Sequence, residues 1–129
     1  MNPPDVHIAV VDDDESLCRS MSRLLRASHL QSRTFASAEA FLADAGHGEF
    51  DCIVLDVQLE GMSGLELCQR LSGTGSSAPV IIITSLDDPE VKQQAARAGC
   101  FQCFSKTDPG HEVVHAILQA VAQHRQHGR

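Results

Sequence analysis

Three apolar runs in the sequence end at oxygen-bearing side chains that could take part in metal or phosphoryl chemistry. The runs and the polar residues that follow them are Ile8–Val11 with Asp12, Asp13 and Asp14; Cys52–Leu55 with Asp56; and Val80–Ile83 with Thr84 and Ser85. Continuous apolar runs suit strands that are buried on both faces of a parallel sheet. Ligands of such sheets bind at the carboxyl ends of the strands. We therefore expect two acidic clusters and a hydroxyl group at one sheet edge.

Several carboxylates at one sheet edge repel one another unless a cation lies among them. Mg²⁺ suits such a site, because it binds one or two carboxylates together with phosphate oxygens and water. A carboxylate next to the ion can attack a phosphoryl donor and form an acyl phosphate. The transfer also needs groups that position and neutralise the phosphoryl oxygens. Thr84 supplies a hydroxyl for this purpose, and Lys106 supplies an ammonium group.

The apolar runs alternate with segments of helical periodicity, which indicates an α/β fold with a parallel sheet. Weaker strands are predicted at Thr34-Phe35 and at Phe101–Phe104, so that five βα units fill the chain. Capping residues mark the helices: Asp14 at an N-cap or in a first turn, Ser37 as an N-cap, Pro89 in a first turn, and Gly46 and Gly99 at helix ends.

The composition excludes several classes of protein. A length of 129 residues suits one domain, and 43% hydrophobic with 21% charged residues is ordinary for a globular protein. A net charge of −7 and a pI near 5.3 argue against nucleic-acid binding by this segment. No apolar run approaches the roughly 20 residues of a membrane span. Because a signal peptide is also absent, we expect a cytoplasmic location without membrane contact.

The five cysteines are an odd number, which argues against a disulfide framework in a reducing compartment. Cys18, Cys52 and Cys68 lie in helical or strand patterns and are expected to be small buried residues. Cys100 and Cys103 form a C-x-x-C pair. Redox pairs of this kind open a helix, whereas these two lie in or at a strand, where residues three apart point to opposite faces. A structural role is therefore favoured.

The chain resembles the receiver domain of two-component response regulators through five motifs that occur in the order and spacing of that family. The motifs are Val10-Val11-Asp12-Asp13, Leu55-Asp56, Met62-Ser63-Gly64, Ile83-Thr84 and Ser105-Lys106. The resemblance covers residues 6–122, with residues 1–5 as a disordered N-terminus and residues 123–129 as a polar tail or the start of a linker. It implies a flavodoxin-like (βα)5 doubly wound parallel sheet with strand order 2-1-3-4-5.

The resemblance also implies roles for the residues at the sheet edge. Asp56 is expected to be the phosphoacceptor. Asp13, Asp56 and the backbone carbonyl of Gln58 are expected to bind Mg²⁺, and Asp12 to act through a metal-bound water. Thr84 is expected to bond one phosphoryl oxygen.

Lys106 is expected to pair with another phosphoryl oxygen. The donor implied by the resemblance is a phosphohistidine on a sensor histidine kinase or a histidine phosphotransfer protein. Such a chain catalyses only its own phosphorylation and dephosphorylation, so it is not an enzyme with a metabolic substrate. An output domain, an effector protein and a dimer that forms on phosphorylation all stay open as partners.

Three positions depart from the family pattern. Glu60 stands where the family usually has proline four residues after the phosphoacceptor, and we expect it in solvent. Thr107 replaces the usual proline after Lys106, so a cis peptide is not expected there. Cys103 replaces a Tyr or Phe that swings inward when the threonine moves. Phe104 is one residue away and should point to the opposite face.

Two alternatives to a switching receiver stay open. A degenerate receiver would be a docking module in which phosphorylation switches little, because Cys103 replaces the aromatic residue. An unrelated phosphohydrolase with an aspartyl nucleophile would be expected to have a second Asp two residues after Asp56, where this chain has Gln58. No glycine-rich phosphate-binding loop follows any predicted strand, which also disfavours that enzyme.

Overall fold

The computed structural model describes residues 6–44, 50–73, 78–85 and 88–127. In this part of the chain, five β-strands alternate with five α-helices. The strands are β1 His7–Val11, β2 Gln31–Phe35, β3 Cys52–Leu55, β4 Val80–Thr84 and β5 Gln102–Ser105. The helices are α1 Glu15–Ala27, α2 Ala38–Ala43, α3 Gly64–Gly73, α4 Pro89–Arg97 and α5 Gly110–His127. The predicted α/β fold is confirmed.

The strands form one parallel sheet in the order β2-β1-β3-β4-β5, as predicted for the flavodoxin-like fold. β3 and β4 lie inside the sheet and are buried at every position, which explains their continuous apolar sequences. Val11 pairs with Leu55, and Thr84 pairs with Ser105. Residues that follow neighbouring strands therefore emerge at the same level of the sheet edge.

Each face of the sheet packs against its own hydrophobic cluster. Met21 of α1 and Ile117 of α5 belong to the cluster on one face. Phe41 of α2 belongs to the cluster on the other face, which α3 and α4 also cover. Alternation along β5 sends Phe104 into the first cluster and Cys103 against the second, so the predicted opposition of these two residues is confirmed.

The helix starts agree with the sequence predictions better than the helix ends do. Asp14 and Ser37 are the N-caps of α1 and α2, and their side chains accept backbone N–H bonds. α4 ends before Gly99, which has a φ of 96° and lies in the turn that follows the helix. α2 ends before Gly46, which lies outside the described residues.

Two edge strands differ in extent from the prediction. β2 covers five residues, whereas the sequence predicted two. Its first four positions are exposed or half-buried, so their polar residues gave no apolar pattern from which a strand could be predicted. β5 begins after Phe101 and includes Ser105.

α5 continues through most of the predicted polar tail, where Arg125 pairs with Asp51 at 3.4 Å. No helix in the described ranges is long and apolar enough to cross a membrane.

Candidate functional site

Four strand ends bring the candidate residues to one edge of the sheet. Asp12 directly follows β1, Asp56 directly follows β3, Thr84 is the last residue of β4, and Lys106 directly follows β5. β1 neighbours β3, and β4 neighbours β5. The two aspartates therefore lie side by side. The backbone N–H of Lys106 donates to the carbonyl of Thr84 at 2.9 Å, which joins the other two strand ends.

The acidic cluster at this edge consists of Asp12, Asp13 and Asp56. Each contributes a carboxylate oxygen, and these atoms lie within 4.8 Å of one another. Asp12 is 2% exposed and Asp56 is 3% exposed, whereas Asp13 faces solvent. Negative charges this close together and this deeply buried repel one another strongly. The cluster is therefore a site that could hold a metal ion.

The Asp56 side chain is held from both sides. The backbone N–H of Asp56 donates to the Val11 carbonyl at 3.1 Å, which ties it to β1. Its Oδ1 accepts the Gln58 N–H at 3.0 Å, and its Oδ2 accepts a hydrogen bond from Lys106 Nζ at 3.0 Å. These bonds fix the orientation of the carboxylate without removing its charge.

Lys106 reaches a second buried carboxylate. Its Nζ lies 3.3 Å from Asp12 Oδ2, which is within ion-pair distance. Burial lowers the pKa of Lys106, but the hydrogen bond to Asp56 and the charges of Asp12 and Asp56 outweigh burial, so that the pKa is raised overall. The ammonium group is therefore a fixed positive charge at this edge of the sheet.

Asp12 is the carboxylate of the cluster whose buried negative charge is incompletely compensated. Its Oδ1 accepts the Asp14 N–H at 2.8 Å, whereas within the described part of the chain its buried Oδ2 accepts no hydrogen bond and has only the 3.3 Å ion-pair contact with Lys106 Nζ. Burial raises the pKa of Asp12, and the neighbouring charge of Asp56 raises it further. The Asp14 N–H and Lys106 oppose this shift without cancelling it.

The chemistry of the cluster fits a hard divalent cation. Its ligands are carboxylate oxygens, the donors that such cations prefer. Buried acceptors in folded proteins normally accept a hydrogen bond, whereas Asp12 Oδ2 has only the ion-pair contact with Lys106. A cation between the carboxylates would satisfy that atom and offset the repulsion.

The loop between β3 and α3 packs directly on the candidate phosphoacceptor. The N–H of Gly64 donates to the Val57 carbonyl at 3.1 Å and closes the loop. A Cβ at Gly64 would clash with the carbonyl oxygen of Asp56, so a residue without a side chain is required there. The Ser85 hydroxyl donates to Gln58 Oε1 at 3.1 Å and links this loop to the end of β4.

The structure brings the acidic cluster and Lys106 together, as the strand ends predicted. Thr84 is 1% exposed and lies at the same edge, joined to Lys106 through its backbone carbonyl. Gln58 contacts Asp56 through its own N–H. The backbone carbonyl of Gln58 as a metal ligand stays a prediction.

The departures from the family pattern have clear places in the structure. Glu60 is exposed, as expected. Among the described residues no peptide bond is cis, so the bond between Lys106 and Thr107 is trans, also as expected. Cys103 is half-buried and packs against the cluster that α4 covers.

The expectation that the C-x-x-C thiols point to opposite faces is wrong. Cys100 and Cys103 both pack against the cluster on the α2–α4 side of the sheet. The rule of alternation does not apply, because Cys100 precedes β5 and lies in the connection between α4 and β5. Burial raises the pKa of Cys100 to about 11 and also raises that of Cys103, which opposes a reactive redox pair.

The prediction of buried structural cysteines is confirmed at the other three positions. Cys18, Cys52 and Cys68 are all buried and free. Burial raises the pKa of Cys52 to about 12 and that of Cys68 to about 11. These thiols therefore act as small core residues.

Two contacts near the site were not predicted from the sequence. One is the bond from Ser85 to Gln58, although a polar residue directly after Thr84 at a strand end was a usable signal. The other joins Glu39 of α2 to Met62, whose N–H donates to Glu39 Oε2 at 2.9 Å. No sequence pattern connects these two positions.

The chain matches the family model of the response regulator receiver domain over residues 8–118. It is 34% identical over 121 residues to the response regulator protein TmoT of Ectopseudomonas mendocina. It is 37% identical over 122 residues to the transcriptional regulatory protein TdiR of Thauera aromatica. These matches cover 94% and 92% of this chain but 55% and 52% of the relatives, so the chain spans about half the length of these curated proteins.

Solved structures agree with the sequence matches. The crystal structure of FixJ-N superposes with a TM-score of 0.83 and 28% identity, covering 93% of this chain and 96% of that one. The sheet order and the acidic strand ends thus define a flavodoxin-like signalling domain. The chain belongs to the response regulator receiver domain family of two-component systems.

Proposed function

We propose that the chain accepts a phosphoryl group on Asp56 from a phosphohistidine, with Mg²⁺ bound at the acidic cluster. The donor is a sensor histidine kinase or a histidine phosphotransfer protein. The observation that carries the proposal is the buried Asp56 carboxylate, with Lys106 Nζ 3.0 Å away and two further aspartates beside it. A strand-end carboxylate that only capped a helix or faced solvent would not need these partners.

In the proposed transfer, an oxygen of Asp56 forms a bond to phosphorus while the phosphorus–nitrogen bond of the donor breaks. The electron pair of that bond stays on the imidazole nitrogen, and the product is an acyl phosphate. The Gln58 N–H and Lys106 orient the carboxylate before attack. Phosphoryl transfer depends mainly on such positioning and on charge neutralisation.

The remaining residues neutralise or bind the phosphoryl oxygens. Mg²⁺, when bound by Asp13, Asp56 and the Gln58 carbonyl with Asp12 nearby, supplies positive charge for the carboxylates and the phosphoryl group. The Lys106 ammonium donates to one phosphoryl oxygen. The Thr84 hydroxyl, at the end of the adjacent strand, is the candidate donor to another. The same groups support the slow hydrolysis that returns Asp56 to its free form.

We also propose that another module reads the phosphorylation state. TdiR is named a transcriptional regulatory protein, and this chain spans about half of it. An output domain or a separate effector protein is therefore the expected partner, and a dimer formed on phosphorylation is one means of signalling to it. The net charge of −7 makes this segment itself a poor binder of nucleic acid. A cytoplasmic location suits a kinase partner of this kind.

Cys103 supports a second candidate function, a docking module with a weakened switch. Its half-buried thiol lies on β5, one strand away from Thr84. A thiol cannot fill the space that an aromatic ring fills when it turns inward. Phosphorylation of Asp56 would then occur with little structural change on the α4–β5 side of the domain.

Incubation with Mg²⁺ and acetyl phosphate, followed by intact mass measurement, tests the proposal. We expect wild type to gain one phosphoryl group and Asp56→Asn to gain none. Asp14→Asn is a matched control, because asparagine also serves well as an N-cap, and it should be phosphorylated like wild type. Phosphorylation should stop when EDTA removes the metal. Equal mass gain by wild type and Asp56→Asn would refute the assignment.

A further inference from the structure

Helix α2 is a rigid base next to the loop that follows Asp56. Ala38 and Phe41 of this helix are fully buried. The Phe41 ring meets the rings of Phe35 and Phe50 at centroid distances of 5.3 and 6.0 Å. Glu39 lies between the two buried positions of the helix and projects into solvent. A side chain on such a base can hold a neighbouring segment in place.

Glu39 makes that contact with the β3–α3 loop. Its Oε2 accepts the backbone N–H of Met62 at 2.9 Å, across 23 positions of sequence. The Met62 N–H lowers the pKa of Glu39, as expected for an ionised acceptor. In the described ranges of the chain, this is the one hydrogen bond that ties residues 59–62 to another element.

Gly61 shapes the loop to this contact. Its φ is 78°, a backbone conformation that other residues rarely adopt. A Cβ at this position would lie 2.5 Å from Glu39 Oε2 and would push the carboxylate away. The glycine therefore presents the following N–H to Glu39 and leaves room for its side chain.

Apart from this bond, the loop forms hydrogen bonds only at its ends, and the buried Leu59 side chain packs in the hydrophobic cluster on the α2–α4 face. The Gly64 N–H closes the loop onto the Val57 carbonyl, and the Ser63 hydroxyl accepts the Glu66 N–H at the start of α3. Between these points Glu60 and Gly61 are exposed. Without Glu39, the exposed segment at Glu60 and Gly61 would be held only by the packing of Leu59 and Met62 on either side of it, and Gln58 lies directly before Leu59.

We propose that Glu39 is a positioning residue for the metal site, acting through the Met62 N–H to hold the loop that begins at Gln58. This inference rests on the proposed function, in which the Gln58 carbonyl is a metal ligand. Glu39 itself does not touch the metal or the phosphoryl group. Its hydrogen bond already restricts the loop before the cation binds. The loop therefore loses less conformational entropy on binding, and the cation binds more tightly.

The test compares three exposed-site variants by calorimetric titration with Mg²⁺ alone. Glu39→Ala removes the acceptor and should weaken Mg²⁺ binding about fivefold. Glu39→Gln keeps an acceptor oxygen without the charge, and its affinity should return towards that of wild type. Glu60→Gln removes a charge from the same loop without removing a hydrogen bond, and it should bind Mg²⁺ more tightly than Glu39→Ala.

A second readout follows the loop itself. Amide hydrogen exchange at Met62 should be faster in Glu39→Ala than in wild type or Glu60→Gln, with unchanged exchange in the core strands. The inference is overturned if Glu39→Ala binds Mg²⁺ as wild type does, or if Glu39→Gln or Glu60→Gln is as weak as Glu39→Ala. These measurements use no phosphodonor, so they test the role of Glu39 independently of whether Asp56 is phosphorylated.

Discussion

Lys106 Nζ lies 3.0 Å from Asp56 Oδ2 and 3.3 Å from Asp12 Oδ2, so that one ammonium group serves two buried carboxylates. The two carboxylates follow adjacent strands, whereas Lys106 follows the edge strand β5. The lysine thus links the proposed phosphoacceptor to the second buried carboxylate of the acidic cluster. Its long side chain spans the distance that the sheet order imposes.

Removal of the Lys106 ammonium should slow the chemistry more than it affects the fold. We expect Lys106→Ala to be phosphorylated by acetyl phosphate at least about tenfold more slowly than wild type, because the developing phosphoryl charge loses a fixed donor. Time courses of intact mass at saturating Mg²⁺ measure this rate. Lys92→Ala, which changes the other lysine of the chain, should keep the wild-type rate. Equal rates for both variants would contradict the role of Lys106.

Asp12→Asn should stabilise the metal-free protein. The raised pKa of Asp12 means that its ionised form destabilises the fold, so wild type without metal should gain stability as pH falls from neutral through that raised pKa. Asparagine removes the charge and can still accept the Asp14 N–H. We expect a gain of about 1 kcal/mol at neutral pH and a flatter pH dependence.

Thermal unfolding followed by far-UV circular dichroism checks the Asp12 prediction. In EDTA, Asp12→Asn should unfold at a higher temperature than wild type. Added Mg²⁺ should raise the melting temperature of wild type more than that of the variant, because a ligand stabilises only the fold that binds it. A variant that melts below wild type in EDTA would contradict the prediction that ionised Asp12 destabilises the fold.

Gly64→Ala should destabilise the domain through the backbone of Asp56. The added Cβ would clash with the Asp56 carbonyl oxygen and lie 2.8 Å from its carbonyl carbon, and neither atom can move without shifting β3. We expect a loss of at least about 2 kcal/mol in the free energy of unfolding. Urea unfolding followed by circular dichroism measures it, since the chain has no tryptophan.

Gly110→Ala is the matched control for that substitution. Gly110 also begins a helix, and a Cβ there would meet only the flexible Leu24 side chain, with Cδ2 at 2.8 Å. Its cost should stay below about 1 kcal/mol. Similar losses for both glycine variants would show that the Asp56 backbone is not the limiting contact.

The sequence predicted the parts of the site that depend on strand ends. Continuous apolar runs are typical of central parallel strands, and the residue after each run must emerge at the carboxyl edge. Asp12, Asp56 and Thr84 were therefore identifiable as neighbours before any geometry was known. Lys106 was less obvious, because β5 is an edge strand with a weaker apolar pattern. It was singled out by its position directly after this weak strand, and the family resemblance then implied its role.

Other features could not be predicted because no sequence periodicity encodes them. The bond between Glu39 and Met62 depends on the height of α2 above the sheet and on the positive φ of Gly61. The shared packing of Cys100 and Cys103 depends on the path of the chain before β5, where Cys100 lies and where strand alternation does not set the direction of a side chain.

Cys103 should limit how far the effect of phosphorylation spreads through the domain. Phe104 cannot substitute for a ring at this position, because its side chain is buried in the cluster on the opposite face of the sheet. With beryllofluoride and Mg²⁺ as a phosphoryl mimic, we expect amide NMR shifts around Asp56 but little change along α4 and β5 of wild type. Cys103→Tyr supplies a ring and should extend the shifts along α4 and β5.

Cys103→Ala controls for loss of the thiol and should behave as wild type does in the same NMR experiment. The variants should bind beryllofluoride equally, because Cys103 lies outside the acidic cluster. The difference in NMR shifts between Cys103→Tyr and Cys103→Ala therefore measures the effect of the aromatic ring. If wild type already shows the full set of shifts along α4 and β5, the thiol does not limit the switch and the docking-module alternative loses its support.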